Sequence, residues 1–342
     1  MRTRLLLAAV IGSTCVTAQN AVYPPLVTKV VHEAVQRGLD WLARNQASDG
    51  SWRNAGGYGG YPVAMTALAG MAFVASGSTP TRGEHWREVR QAVDFLVRQA
   101  NPDTGLIAVL GEEHHCMYGH GFATLFLASV FGMEEDVQKQ QKLKHVLDKA
   151  VALIGSAQST AGGWTYQPDI NDDEGSVTVT QVQALRACRM AGIVVDKKTI
   201  DRAVDYIKRC QTADGSIRYS LRSGGEGRAA ITAAGVAVLY NAGLYDDQPF
   251  VEKAVSYCKQ RIQVSVDNTG HPLYAHLYWS QALYQRGGDD WADYYGKQSA
   301  YQLEKQKQDG SWAGDDVGSV YGTAVVLTIL QLPYALVPIY QR

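Results

Sequence analysis

The sequence has almost no charge of one sign to spare: 32 Lys and Arg stand against 33 Asp and Glu over 342 residues, and no Lys/Arg run occurs in it. The electrostatic footprint that nucleic-acid binding needs is therefore missing. Charged residues make up only 19% of the chain, below the usual ~25%, while 46% are hydrophobic, which excludes a disordered chain. Cysteine is scarce at five, with no Cys-x-x-Cys pair, so a redox pair or zinc knuckle is excluded. Phenylalanine is scarce too, at 6 against 19 tyrosines, and the aromatic surface is consequently one that also hydrogen-bonds. No Gly-x-Ser-x-Gly elbow, Walker A string, Gly-x-Gly-x-x-Gly after a strand or His-Glu-x-x-His helix appears, and nucleotide chemistry has no support.

Long uninterrupted apolar runs are also lacking. The segment 320–340 comes nearest, but Thr323, Thr328, Gln331, Pro333 and Pro338 interrupt it. It reads as a core helix ending before Pro333 and not as a membrane span. At the start, Arg2 and Arg4 precede the apolar stretch Leu5 to Ile11, followed by Val16-Thr17-Ala18. Residues 1–18 read as a cleavable export signal, leaving 19–342 as a single domain in the periplasm or outside the cell. Cys116, Cys188, Cys210 and Cys258 remain, enough for two disulfides in three connectivities or for free thiols.

What the sequence has is repetition. Gln46-Ala-Ser-Asp-Gly50-Ser-Trp52 recurs as Gln158-Ser-Thr-Ala-Gly162-Gly-Trp164 and Gln306-Lys-Gln-Asp-Gly310-Ser-Trp312, and more weakly as Gln211-Thr-Ala-Asp-Gly215-Ser-Ile217. Degenerate copies end at Gly105 and Gly270. Six copies divide the chain near residues 26–80, 81–135, 136–194, 195–245, 246–288 and 289–342.

Each copy has one grammar. Before the glycine stands an amphipathic helix, such as the one carrying Ile200, Ala203, Val204 and Ile207 at helical spacing. After it come a loop and a second helix rich in Ala, Gly, Thr and Val, near 62–75, 118–131, 176–191, 229–242, 274–285 and 321–332. A helix apolar all round is buried on both sides. Six hairpins cannot bury such helices singly, but a closed ring of six can, which predicts an all-α fold, an (α/α)6 toroid of twelve helices. Both terminal copies keep the full Gln-to-Trp string, where an open solenoid would need polar caps. In the string itself, Gly permits the left-handed turn, Gln can bond loop backbone and Trp can pack between hairpins.

The Gln-x-x-x-Gly-x-Trp string resembles the repeat of squalene and hopene cyclases and the related repeat of protein prenyltransferase β-subunits, over essentially all of residues 19–342. The resemblance implies the toroid fold, and an isoprenoid-like substrate or ligand as the natural occupant. A class II cyclase uses a protonated Asp in an Asp-x-Asp-Asp motif. Here Asp169-Ile-Asn-Asp172-Asp173 has Asn171 where that motif has Asp, and register on Ala184-Leu185 places Ser176 and Val177 at the acidic pair. A prenyltransferase holds zinc through Asp-x-Cys, which this chain lacks, so no cofactor is expected.

In a toroid every loop entering an inner helix lies at one rim, and polar residues gather in those segments. Candidate catalytic residues are Asp172 or Asp173 as the acid with His120 positioning it. Candidate ligand-binding residues are Tyr61, His115, Cys116, Tyr118, Glu226, Arg228, Tyr274, His276, Tyr278, Asp315, Asp316 and Tyr321. Cys116 and His120, four apart on one helical face beside His114 and His115, could supply part of a zinc site if another segment completed it. Asp172 and Asp173 could equally cap the helix that follows them. The expectation is an exported toroid that binds a small apolar or amphipathic ligand, or a protein partner, without nucleic acid or a transmembrane span. Two enzyme readings stand beside it: a terpenoid cyclase with an Asp general acid, and an exported carbohydrate-active enzyme using rim carboxylates.

Overall fold

A computed structural model describes residues 23–245, 249–266 and 269–341. The export signal read at 1–18 lies outside the described residues. Twelve α-helices follow one another: α1 Lys29–Arg44, α2 Pro62–Ala75, α3 Trp86–Gln99, α4 Cys116–Phe131, α5 Val137–Ser156, α6 Gly175–Met190, α7 Lys197–Arg209, α8 Ala229–Asn241, α9 Phe250–Arg261, α10 Pro272–Arg286, α11 Gly288–Lys305 and α12 Ser319–Leu330. The fold is all-α, as the repeat grammar predicts.

Odd-numbered helices are outer and one-sided. In α7 the Asp196 side chain caps the first turn through Lys198 N at 2.9 Å, and only Ile200, Ala203, Tyr206 and Ile207 are buried. Even-numbered helices are inner. Every residue of α2 is buried, from Pro62, which the first helical position accepts without losing a bond, to Ala75. Inner helices pack in the order α2, α4, α6, α8, α10, α12, and α12 packs back on α2, so the ring closes; outside it, α1 lies on α12 and touches α11.

Outer helices are joined by the repeated string. Gln46 Nε2 donates to Gly50 O of its own turn at 3.0 Å and to Glu88 O of α3 at 3.0 Å. Gln158 does the same with Gly162 O at 2.8 Å and Thr199 O of α7 at 2.9 Å, and Gln306 with Gly310 O at 2.9 Å and Ala34 O of α1 at 2.8 Å. The glycine then lies flat on the next outer helix. A Cβ at Gly50, Gly105 or Gly162 would overlap the carbonyl oxygen of Gln91, Lys149 or Arg202, and at Gly215 or Gly310 it would stand 2.5 Å from that of Lys253 or Arg37. Each of these glycines has positive φ. Trp52, Trp164 and Trp312 are buried, their indole N–H donating to the preceding outer helix at 2.8 Å.

Two short 3-10 turns, Leu332–Tyr334 and Pro338–Tyr340, follow α12 and cross the end of the ring opposite the loops just described, packing on α10 and, for the second turn, on α6. Gln331 Nε2 ties them to Ala72 O of α2 at 3.0 Å, and Ile339 and Tyr340 are buried. The segment 320–340 is thus a helix that stops at Leu330, before Pro333, followed by the two turns, and no helix among the described residues is long and apolar enough to cross a membrane. Cys116, Cys188, Cys210 and Cys258 are buried free thiols, which selects that alternative over all three disulfide connectivities.

Candidate functional site

Five of the six junctions between successive segments entering the inner helices are bridged. Arg53 pairs with Glu112 at 3.2 Å, joining the first to the second. His115 stacks on Tyr166 at 4.0 Å between ring centroids, joining the second to the third, and the Tyr166 and Tyr219 hydroxyls are bonded, joining the third to the fourth. Asp315 Oδ2 accepts from Leu273 N at 3.3 Å, and Gly56 lies against the Val317 carbonyl, returning from the sixth to the first.

Inside this collar stands a group of phenols. The Tyr118 hydroxyl of α4 is bonded to Ser176 Oγ of α6, and Tyr274 of α10 donates to Ser176 O at 3.4 Å. Tyr274 and Tyr278 rings lie 4.8 Å apart, and Tyr321 belongs to the same group. Tyr118, Tyr166, Tyr219, Tyr274 and Tyr321 stay partly exposed, whereas Tyr278 beneath them is fully buried. Below this level the lumen is closed. Gln183 of α6 donates to Gln281 of α10 at 2.8 Å, a bond across the ring between helices that are not neighbours in it. The C-terminal turns form the far floor, where Gln285 Nε2 donates to Ile339 O at 3.5 Å. What remains at the rim is a group of partly exposed tyrosines. Burial pushes the phenols of Tyr118, Tyr274, Tyr278 and Tyr321 well above the ordinary tyrosine value, so they act as neutral donors and acceptors.

The carboxyl that reaches this group is Glu174, the N-cap of α6. Its oxygens accept from Ser176 N at 2.9 Å, Ser176 Oγ at 2.5 Å and Val177 N at 2.5 Å. Burial raises its pKa, with those hydrogen bonds pulling the other way. A second buried carboxyl, Glu113, accepts from Val63 N at 2.8 Å and Ala64 N at 3.3 Å at the start of α2 and from Val109 N at 3.0 Å. Desolvation outweighs all three donors and raises it to about 7. Neither residue was a sequence candidate, nor were Tyr166 and Tyr219. The last two occupy one repeat position, two residues after Trp164 and Ile217, and superposing the copies would have found them.

The proposed acids lie elsewhere. Asp172 is exposed and faces Arg222 at 3.7 Å. Asp173 is buried, but against Tyr206 of the outer helix α7 and Cys210, and its Oδ1 has no hydrogen-bond partner. The reason is local: Glu174 takes the capping position, so its neighbours in the chain are turned away from the lumen. His120 is fully buried, and its ring nitrogens are engaged by Ile107 N at 3.1 Å and Ala150 O at 3.3 Å; burial lowers its pKa to about 4. It ties α4 to α5 and does not reach Asp172 or Asp173. His276 likewise points to the outer layer, bonded to Tyr294 Oη at 2.8 Å. Cys116 donates to Gln167 Oε1 at 3.1 Å, and burial pushes its thiol up to about 11. With these partners Cys116 and His120 do not present a joint metal site. Among the described residues, the group of His, Cys, Asp or Glu whose ligand atoms all lie within 4.8 Å of one another is Asp40, Glu84 and His85, between α1 and the start of α3.

Of the remaining candidates, Tyr61 stands 6.5 Å from His115 across the first seam, centroid to centroid, and Arg228 places its guanidinium 4.5 Å over the Tyr219 ring. Glu226, Asp315 and Asp316 are exposed.

The family model described as prenyltransferase alpha-alpha toroid domain matches residues 26–272. No curated protein matches the sequence. Among solved structures, type II terpene cyclase MstE from Scytonema is 16% identical with a TM-score of 0.60, covering 91% of this chain and 100% of its own. A variant of MstE in complex with geranylgeranyl dihydroxybenzoate gives 17%, 0.61, 90% and 98%. An inactive variant of an α-1,6-mannanase of Salegentibacter in complex with α-1,6-mannotriose gives 8%, 0.60, 90% and 99%. At these identities the likeness is one of fold, and it extends to two unrelated chemistries.

Proposed function

This chain belongs to the prenyltransferase alpha-alpha toroid domain family, and from that premise we propose that the tyrosine group at its rim binds a small amphipathic molecule without cyclising it. The observation that carries this reading is the wall of neutral phenols around Ser176, with the lumen closed below. Tyrosine faces suit an apolar body, while the hydroxyls of Tyr118 and Tyr274 serve a polar head. Arg228 at the margin suits an anionic head group. An isoprenoid-like ligand fits the family and the complex of MstE with geranylgeranyl dihydroxybenzoate. From the export signal read at 1–18 we further propose that this binding takes place outside the cytosol.

Class II cyclisation needs a free carboxylic acid aimed at the substrate. Asp172 and Asp173 are turned away, and Glu174 is engaged by three donors at the start of its own helix. The test is mass spectrometry of organic extracts of untagged protein, followed by titration with a fluorescent polyprenyl phosphate. A retained amphipath and saturable micromolar binding, weakened about tenfold in Tyr274→Ala and Arg228→Glu, are expected. Turnover of a polyprenyl substrate to a ring product, or binding of mannose oligosaccharides in its place, would overturn the reading.

A further inference from the structure

Away from the tyrosine group, Asp40 of α1 meets Glu84 and His85 on the connection from α2 to α3, where the chain enters an outer helix. One oxygen of each carboxylate and one ring nitrogen of His85 all lie within 4.8 Å of one another. The local chain fixes the histidine. Ser78 Oγ accepts from His85 N at 3.2 Å, and Gly83, with φ +97°, lies so close to Ser78 that a Cβ would stand 2.8 Å from the Ser78 Cα. The His85 ring packs on Phe73 of α2 at 4.9 Å between centroids. His85 is also the N-cap of α3, yet its side chain caps nothing. The residue is only 6% exposed, its Nε2 is buried without a hydrogen-bond partner, and the ring presents a nitrogen to both carboxylates. A buried ring nitrogen left unpaired calls for a partner.

The carboxylates are left without a cation. Among the described residues neither Asp40 nor Glu84 makes an ion pair or a hydrogen bond, and the basic residues nearest in the chain are committed elsewhere. On α1, Arg37 donates to Gln306 and Arg44 to Asp309 O at 3.2 Å. Around the start of α3, Arg82 pairs with Glu135 at 2.8 Å, Arg87 lies over the Trp86 ring and Arg90 pairs with Glu134 at 2.6 Å. We propose that Asp40, Glu84 and His85 bind a divalent transition-metal ion of the zinc class, which braces α1 against the start of α3. Two carboxylates and an imidazole make a three-ligand zinc set, with water in the fourth position. Around zinc such ligand atoms stand about 3.3 Å apart, and rotation of the exposed Asp40 and Glu84 side chains about the fixed His85 closes the spacing. The imidazole selects zinc over calcium or magnesium, which take oxygen ligands. This site is independent of whatever the tyrosines bind.

The probe is zinc chloride, titrated by calorimetry into the untagged full chain after treatment with a chelator. One-to-one binding with a dissociation constant of about 10 μM is expected, and calcium chloride should bind at least tenfold more weakly. Asp40 and Glu84 are exposed, so Asp40→Asn and Glu84→Gln leave the core untouched. Each should weaken zinc binding at least tenfold with an unchanged circular dichroism spectrum. At a hundredfold excess over its dissociation constant, zinc should raise the thermal midpoint of the parent chain by about 3 °C and leave that of Asp40→Asn unmoved. No saturation, calcium binding as tightly as zinc, or zinc binding indifferent to both substitutions would overturn the proposal.

Discussion

A methyl group is enough to test how tightly the ring is sealed. Gly162 has φ +104°, and its Cα faces the Arg202 carbonyl. Gly162→Ala therefore meets both a strained backbone and an overlap, and a loss of about 2–4 kcal/mol in urea unfolding is expected. The two buried histidines give a second residue-scale prediction. Burial lowers His120 and His276 to about 4, below the ordinary value of 6.5. Each is neutral in the folded chain, so its contribution is full above pH 6.5 and is lost as pH falls towards 4, by up to about 3 kcal/mol. His276→Gln should flatten that part of the stability profile. Glu113 works in the opposite sense: raised from 4.5 to about 7, it contributes most below pH 4.5 and loses that contribution as pH rises through 7. A comparison of unfolding midpoints at pH 4.5 and 8 in Glu113→Gln and the parent chain checks the sign.

At the scale of elements, the alternation of outer and inner helices was legible because it rests on local pattern. The apolar stripe of α7 and the unbroken burial of α2 follow from residue order alone, whatever lies beside them. The role of Gln was legible only in part. That it bonds loop backbone could be read, but its second bond, to the next outer helix, joins residues 41 apart in Gln158 and needed the ring. Gln158→Ala removes two hydrogen bonds at a buried site, and a loss of about 1–3 kcal/mol in chemical denaturation is expected. The carboxylates were the least legible feature. Three acids in a row precede α6, and the choice among Asp172, Asp173 and Glu174 for the lumen turns on which one caps the helix.

For the whole molecule, closure is the decisive property. Inner helices α2 and α12 are far apart in sequence yet packed together, and the C-terminal turns lock that contact through Gln331 and Ala72. Removing residues 288–342 would uncover the apolar sides of α2 and α10 at once. Such a truncation should lose the single cooperative thermal transition expected of the full chain and bind a hydrophobic dye; retention of a sharp transition would show that the arc folds without closing.

The sequence by itself determined twelve helices, their division into two layers and the turns that join the layers, because helical period, burial on both faces and glycine at positive φ are local requirements. Only the tertiary structure decided what fills the lumen and which carboxyl reaches it. Those outcomes depend on distances across a closed ring, where a side chain's neighbours come from segments that residue order does not place together.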